Sequence, residues 1–152
     1  MYIIKEATTV LYHTSIKKIS NIKKSPLFFT DKIELAKAWY QNAVEEHRKA
    51  YAYSFKFNGK ILSRNQIKTF CQKNKIDYYE LVAELVGNPE PDEIINISGI
   101  KEISKICDGF VLMDYDPRDF QKDAESILIL NTKTLKNQKL VSFDDRGSAW
   151  LM

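Results

Sequence analysis

The chain has 152 residues, 44% of them hydrophobic, and a net charge of +3 from 23 basic and 20 acidic side chains. That length and composition suit one domain with a real core, and the balanced charge lacks the clustered basic excess of a dedicated nucleic-acid binder. No run is long and apolar enough to span a membrane. Cys71 and Cys107 have no metal-ligand spacing, which points to a reducing, cytoplasmic setting. The opening Met1-Tyr2-Ile3-Ile4-Lys5-Glu6 lacks the basic-then-apolar pattern of a secretion signal.

In chain order, residues 2–4 are a short β-prone run. Residues 10–13 are a second, ending at Thr14-Ser15, a turn or cap signal. His13 closes that strand, and a lone histidine there is by default a side chain holding a turn through its ring nitrogens. Residues 16–24 are rich in lysine and expected as a solvated loop. A positive rim steering a diphosphate is the functional alternative, although no arginine is present for bidentate contacts. Leu27-Phe28-Phe29 follows Pro26 as a short buried strand.

Thr30-Asp31 then opens a helix expected to reach about His47. Asp31 serves as its N-cap, with Glu34 three positions on. Leu35, Ala36, Trp39 and Ala43 mark the apolar stripe, and Tyr40 lies on the same side. Residues 51–57 form the clearest strand, with aromatics alternating with small or polar residues. Asn58-Gly59 signals a hairpin turn, with a return over residues 60–62.

Ser63-Arg64-Asn65-Gln66 is a capping box opening a helix to about Lys73. Tyr78, Leu81, Val82, Leu85 and Val86 give residues 77–86 a full amphipathic stripe, stopped by Gly87-Asn88-Pro89. A third helix is expected over about residues 98–106. Residues 107–113 return to strand. Residues 114–122 are acidic and irregular and are expected as a mobile loop; a calcium loop fails for want of a glycine at its sixth position. Asp123-Ala124-Glu125 leads into Ser126-Ile127-Leu128-Ile129-Leu130, apolar enough for a central strand buried on both faces. Glu125 would stand at the mouth of that strand, where a carboxylate is costly to bury unpaired. Residues 131–139 read as a lysine-rich turn, residues 140–143 as a last strand, and the remainder as a tail. The chain has no phosphate-binding glycine loop, zinc pattern or nucleophile elbow.

The order of these pieces resembles the ADP-ribosyltransferase superfamily. A histidine in Tyr12-His13-Thr14-Ser15 comes first, then the aromatic strand Phe28-Phe29-Thr30, then Tyr40 on a helix, then Glu125 before an apolar strand. The likeness is to the branch with a His–Tyr–Glu triad, which includes diphtheria-type toxins and poly(ADP-ribose) polymerases. It spans most of residues 10–131 outside the helical block. Thr14 stands where that branch usually has glycine, and Phe28 or Phe29 where it often has tyrosine. The opening motif, helical insertion and small size are also similar to phage anti-CRISPR and toxin-type members.

The resemblance implies an α+β fold, a single domain with a split β-sheet core and a helical insertion at about residues 63–106. It implies a mono-ADP-ribosyltransferase that breaks the nicotinamide–ribose bond of NAD, with NAD as substrate and no metal. Glu125 would stabilise the oxocarbenium-like transition state through the ribose 2′-hydroxyl. His13 would hold the other ribose, and the backbone at Thr14 and Ser15 would meet the carboxamide. Tyr40 with Phe29 or Phe28 would sandwich the nicotinamide. Asp123 would position an acceptor. The acceptor would be a macromolecule, a host protein ahead of a nucleic acid, and no membrane is implied. Water or nucleic acid as acceptor is the alternative, as is a catalytically silent binding protein of the same fold.

Overall fold

A computed structural model describes residues 4–20, 27–86, 91–116, 119–143 and 149–151. The fold is α+β. Its strands are β1 (Ile4–Ser15), β2 (Leu27–Phe29), β3 (Tyr51–Leu62), β4 (Gly109–Asp116), β5 (Asp119–Ile129), β6 (Leu135–Phe143) and β7 (Ala149–Leu151). Its helices are α1 (Ile33–His47), α2 (Arg64–Lys73), α3 (Tyr78–Val86), α4 (Pro91–Ile94) and α5 (Ile100–Ser104). No helix among the described residues is long and apolar enough to cross a membrane.

β3 belongs to two sheets. Its first ten residues lie between β1 and β6, both antiparallel to it, and β7 extends that sheet beyond β6. Its last two residues, Ile61 and Leu62, pair in parallel with Gly109 and Phe110 of β4. β4 pairs with β5, and β5 with β2. A reciprocal pair of backbone hydrogen bonds between Tyr12 and Thr30, at 2.8 and 3.0 Å, then joins the end of β2 back to β1. The strands therefore close a circuit from β3 through β4, β5, β2 and β1 to β3.

Alternation divides the apolar residues into two cores. Leu11, Phe29, Tyr53, Phe55, Phe57, Ile61, Ile127 and Ile129 pack inside the circuit. Phe110, Leu112, Leu128 and Leu130 point from the other face of β4 and β5 into the helical block, against Ile67, Cys71, Leu81, Leu85, Ile100 and Ile103. Burial on both faces explains why residues 127–130 read as a continuous apolar run. Both thiols lie in the helical core, and burial pushes the Cys107 thiol up to about 12 and the Cys71 thiol upward as well.

The helical block follows its local signals. Ser63 and Gln66 form the capping box of α2, and Asp77 Oδ1 accepts the Glu80 N–H at the start of α3. The third helix is shorter than its pattern suggests. It covers Ile100–Ser104 and starts after Gly99, whose φ of 95° few other residues adopt. α4 is a single short turn of helix between α3 and α5.

Several expectations are corrected. β1 is one strand rather than two. Asp31 does not cap α1: the N-cap is Lys32, which has no capping side-chain bond, and Thr30 Oγ1 instead accepts the Lys32 N–H. The acidic segment after Met113 is a strand pair rather than a loop, with β4 and β5 paired out to Asp116 and Asp119 across a register shift after Tyr115. Glu125 is consequently inside β5, not at its start. Residues 135–143 are all strand, and β7 follows where a tail was expected. The expectations for Tyr2, Lys23-Lys24, Gly87-Asn88-Pro89 and residues 144–148 lie outside the described residues.

Asn58-Gly59 makes no hairpin; β3 runs straight through it. A Cβ on Gly59 would stand 2.6 Å from Asp108 Oδ2, 2.9 Å from the Phe57 ring and 3.1 Å from Thr134. Asp108 cannot retreat, because its Oδ2 accepts the Lys60 N–H at 2.8 Å and its Oδ1 accepts from Asn131 Nδ2 at 3.1 Å. The glycine therefore serves close approach rather than turning. Gly59→Ala is expected to destabilise the fold by about 1–3 kcal/mol, and the exposed neighbour change Asn58→Ala by less than about 0.5 kcal/mol. Urea unfolding measures both. A costly Asn58→Ala beside a neutral Gly59→Ala would indicate a hairpin turn after all.

Candidate functional site

β1 places His13 on the inner face of the circuit, in line with Leu11 and opposite Tyr53 of β3. The imidazole lies 5.2 Å from the Phe29 ring, centroid to centroid. Its Nδ1 is 2.8 Å from the Phe28 carbonyl oxygen. A carbonyl only accepts, so Nδ1 carries the proton and Nε2 is left as an acceptor in the neutral ring. Burial holds the His13 pKa below the usual histidine value, and the Phe28 hydrogen bond opposes this only in part. The ring is therefore neutral at physiological pH.

Phe29 supports this arrangement from behind. It is 0% exposed, meets His13 on one side and packs edge-on to Phe55 at 5.6 Å. It has no free face for a nicotinamide, so its expected stacking role becomes a positioning one. Phe28 points the other way, against the helical core, and contributes only its carbonyl to the site. The two phenylalanines read alike in sequence because a two-residue run does not say which face each takes.

Glu125 is exposed and shares the inner face of β5 with Ile127 and Ile129. Phe29 pairs with Ile127, and the Tyr12–Thr30 bridge sets Phe29 beside His13. Glu125 thus stands two strands across and two residues along from His13. Strand spacing and rise put their backbones roughly 12 Å apart. The two side chains address one face without touching.

Tyr40 does not join them. Its ring lies 5.4 Å from Phe143. Register places Phe143 on the face of β6 shared with Val141 and Ala52, opposite to the face of Tyr53 and Leu140 that looks toward His13. α1 lies over that outer face, with Leu35, Ala36 and Ala38 buried. The helical period alone cannot say which side of a sheet a helix covers, and here α1 takes the side away from the histidine. Thr14, one residue after His13, likewise points from the opposite face of β1. The Ser15 hydroxyl is engaged in a turn, donating to the Lys17 carbonyl at 2.7 Å and accepting the Lys17 N–H at 3.1 Å. Asp123 pairs with Tyr115 through its backbone, and its side chain lies outside the described residues.

Sequence reading missed Asp108 and Tyr53. The Tyr53 hydroxyl accepts the Ile19 N–H at 2.7 Å and ties the lysine-rich connection to the wall beside His13. Gln138 reaches the same residue, donating to the Ile19 carbonyl at 2.8 Å. Neither contact has a local signal, since each joins residues far apart in sequence. Among the described residues, no three His, Cys, Asp or Glu side chains gather as a metal ion requires. The chain matches no protein-family profile, no curated protein and no solved structure.

His13 makes stability depend on pH in a defined direction. Its pKa is lower in the fold than in the unfolded chain. Below about 6.5, the ordinary histidine value, the unfolded chain therefore binds a proton that the fold resists. The contribution is complete above that pH and is lost as pH falls toward the folded value. His13→Gln is expected to flatten the decline in unfolding free energy between pH 7 and 5, as measured by urea titrations at each pH. An unchanged slope would mean that His13 is not held neutral.

Proposed function

We propose that the chain is a mono-ADP-ribosyltransferase that uses NAD and transfers ADP-ribose to a macromolecular acceptor, a protein ahead of a nucleic acid. The observation that carries this reading is the neutral His13, locked through Nδ1 to the Phe28 carbonyl, on the same inner face as the exposed Glu125. The ordered resemblance of the chain to the ADP-ribosyltransferase superfamily, and a sheet shared between two halves through β3, support it further.

The chemistry follows from the two side chains. His13 Nε2 accepts a hydrogen bond from a ribose hydroxyl on the adenosine side. The diphosphate separates the two riboses of NAD, so a carboxylate roughly 12 Å away is suited to the nicotinamide ribose. Glu125 accepts from its 2′-hydroxyl and faces the positive charge that develops as the nicotinamide bond breaks. A fixed group aimed at charge that appears only in the transition state lowers the barrier without tightening ground-state binding. Nicotinamide departs with the electrons of the broken bond, and the acceptor nucleophile bonds to the ribose carbon it leaves, releasing its own proton to solvent.

A second reading has its own support. Phe29 is fully buried between His13 and Phe55, and Tyr40 lies on the far face, so neither expected stacking partner offers a free face beside His13. A binding protein that keeps this fold without turnover accounts for that.

Nicotinamide release from labelled NAD, with host lysate as acceptor, separates the two. The wild-type chain is expected to release nicotinamide and label a protein. Glu125→Gln is expected to lose roughly 10²–10³-fold in rate with unchanged melting, because the side chain is exposed. Label appearing only as free ADP-ribose would identify water as the acceptor. No release by the wild type, together with no NAD binding by calorimetry, would favour the silent binding protein.

A further inference from the structure

The face of the β1–β3–β6 sheet turned away from His13 holds a separate cleft. Val10 and Tyr12 of β1, Ser54 and Lys56 of β3, and Asn137 and Lys139 of β6 line it, and Ile33 at the start of α1 forms one wall. Its volume of about 270 Å³ is just below the range of drug-sized sites, roughly 300–1,000 Å³, and suits a compact ligand.

Its polar groups converge. Ser54 is 5% exposed, and its hydroxyl has no hydrogen-bond partner among the described residues. Its oxygen is not among the enclosed, unsatisfied ones, of which Ser126 Oγ is the one found among the described residues, so the Ser54 hydroxyl is open to the cleft and can donate to a ligand there. Lys139 lies directly across from Ser54 in the β3–β6 register, and Lys56 is the next residue on the same face of β3. Neither lysine has an ion-pair partner among the described residues. Asn137, with φ of 56°, lies in the irregularity where β6 advances from Lys139 to Lys136 while β3 moves only from Ser54 to Lys56. Such bulges re-aim side chains beside functional sites.

The remaining lining is apolar. Val10 is 43% exposed, an unusual position for a large aliphatic side chain in a strand, and Ile33 also lines the cleft. Tyr12 supplies a ring and a hydroxyl. Burial, and then the Glu34 carboxylate, hold that phenol above its ordinary pKa, so it stays a donor at neutral pH. There is no arginine here to favour a phosphate through a bidentate fork.

We infer that this cleft binds a small organic carboxylate with an apolar body. The carboxylate lies between Lys56 and Lys139 and accepts from the Ser54 hydroxyl, while the apolar part rests on Val10, Ile33 and the Tyr12 ring. The site is on the opposite side of the sheet from His13 and Glu125 and does not depend on the transferase reading.

Benzoate, benzamide and phenyl phosphate titrated into the ¹⁵N-labelled full chain test this. Benzoate is expected to give saturable amide shifts at Val10, Ser54, Lys56 and Lys139, with the neutral benzamide weaker by about tenfold or more. Ser54→Ala and the double variant Lys56→Gln/Lys139→Gln are each expected to weaken benzoate while leaving the melting temperature in place. Glu125→Gln is expected to bind benzoate as the wild type does, so loss of transferase activity and loss of this site are told apart. Non-saturable shifts, equal binding of benzamide, or benzoate binding unmoved by the double lysine variant would overturn the assignment. Binding of phenyl phosphate with none of benzoate would also overturn it.

Discussion

Asp108 ties the two halves of the sheet together. Its N–H donates to the Lys60 carbonyl at 2.9 Å, and its carboxylate accepts the Lys60 N–H at 2.8 Å. Its own carbonyl accepts the N–H groups of Leu130 and Asn131 at 2.8 and 3.1 Å, while its other carboxylate oxygen accepts from the Asn131 side chain. One residue thus fixes the end of β3, the start of β4 and the end of β5. Hydrogen bonds to a charged acceptor are worth about 1.5–3 kcal/mol each, several times a surface ion pair. Gly59 is the steric condition for this knot, since a side chain there would collide with the carboxylate. With β3, β4 and β5 held, Ile127 aligns with Phe29 and Phe29 with His13, so the candidate site is a consequence of the knot.

The same geometry separates the two proposed sites by face. A strand sends alternate side chains to opposite sides, and β1 does so with Tyr12 outward and His13 inward. The inner face holds a desolvated, neutral imidazole and, farther along, an exposed carboxylate. The outer face holds lysines, the Ser54 hydroxyl and an apolar wall under α1. We propose a dinucleotide with two riboses for the first and a compact monoanion for the second.

Much of this was legible in the sequence because it rests on local chemistry. The capping box at Ser63–Gln66, the stripe of residues 78–86 and the doubly buried run of residues 127–130 each carry a short-range signal. What misled were residues whose role is set by distant partners. Gly59 imitates a turn but yields to Asp108, forty-nine positions later. Phe28 and Phe29 look equivalent until pairing with Leu128 and Ile127 assigns them to opposite faces. Tyr40 shows a helical period that fixes its side of α1, yet only packing against Phe143 shows which face of the sheet that side meets. His13 and Glu125 were visible as chemistry-bearing residue types, while their common face is fixed by the pairing of β1, β2 and β5.

We propose that NAD engages the inner face through the free Nε2 of a neutral His13. The most direct test is the ¹⁵N spectrum of imidazole-labelled protein with and without NAD. The account predicts that the Nε2 resonance of His13 moves on binding, while Nδ1 keeps the shift of a protonated nitrogen bonded to a carbonyl. An Nε2 resonance unmoved at saturating NAD, or NAD-induced shifts confined to Tyr40, Lys56 and Lys139 on the outer face, would contradict it.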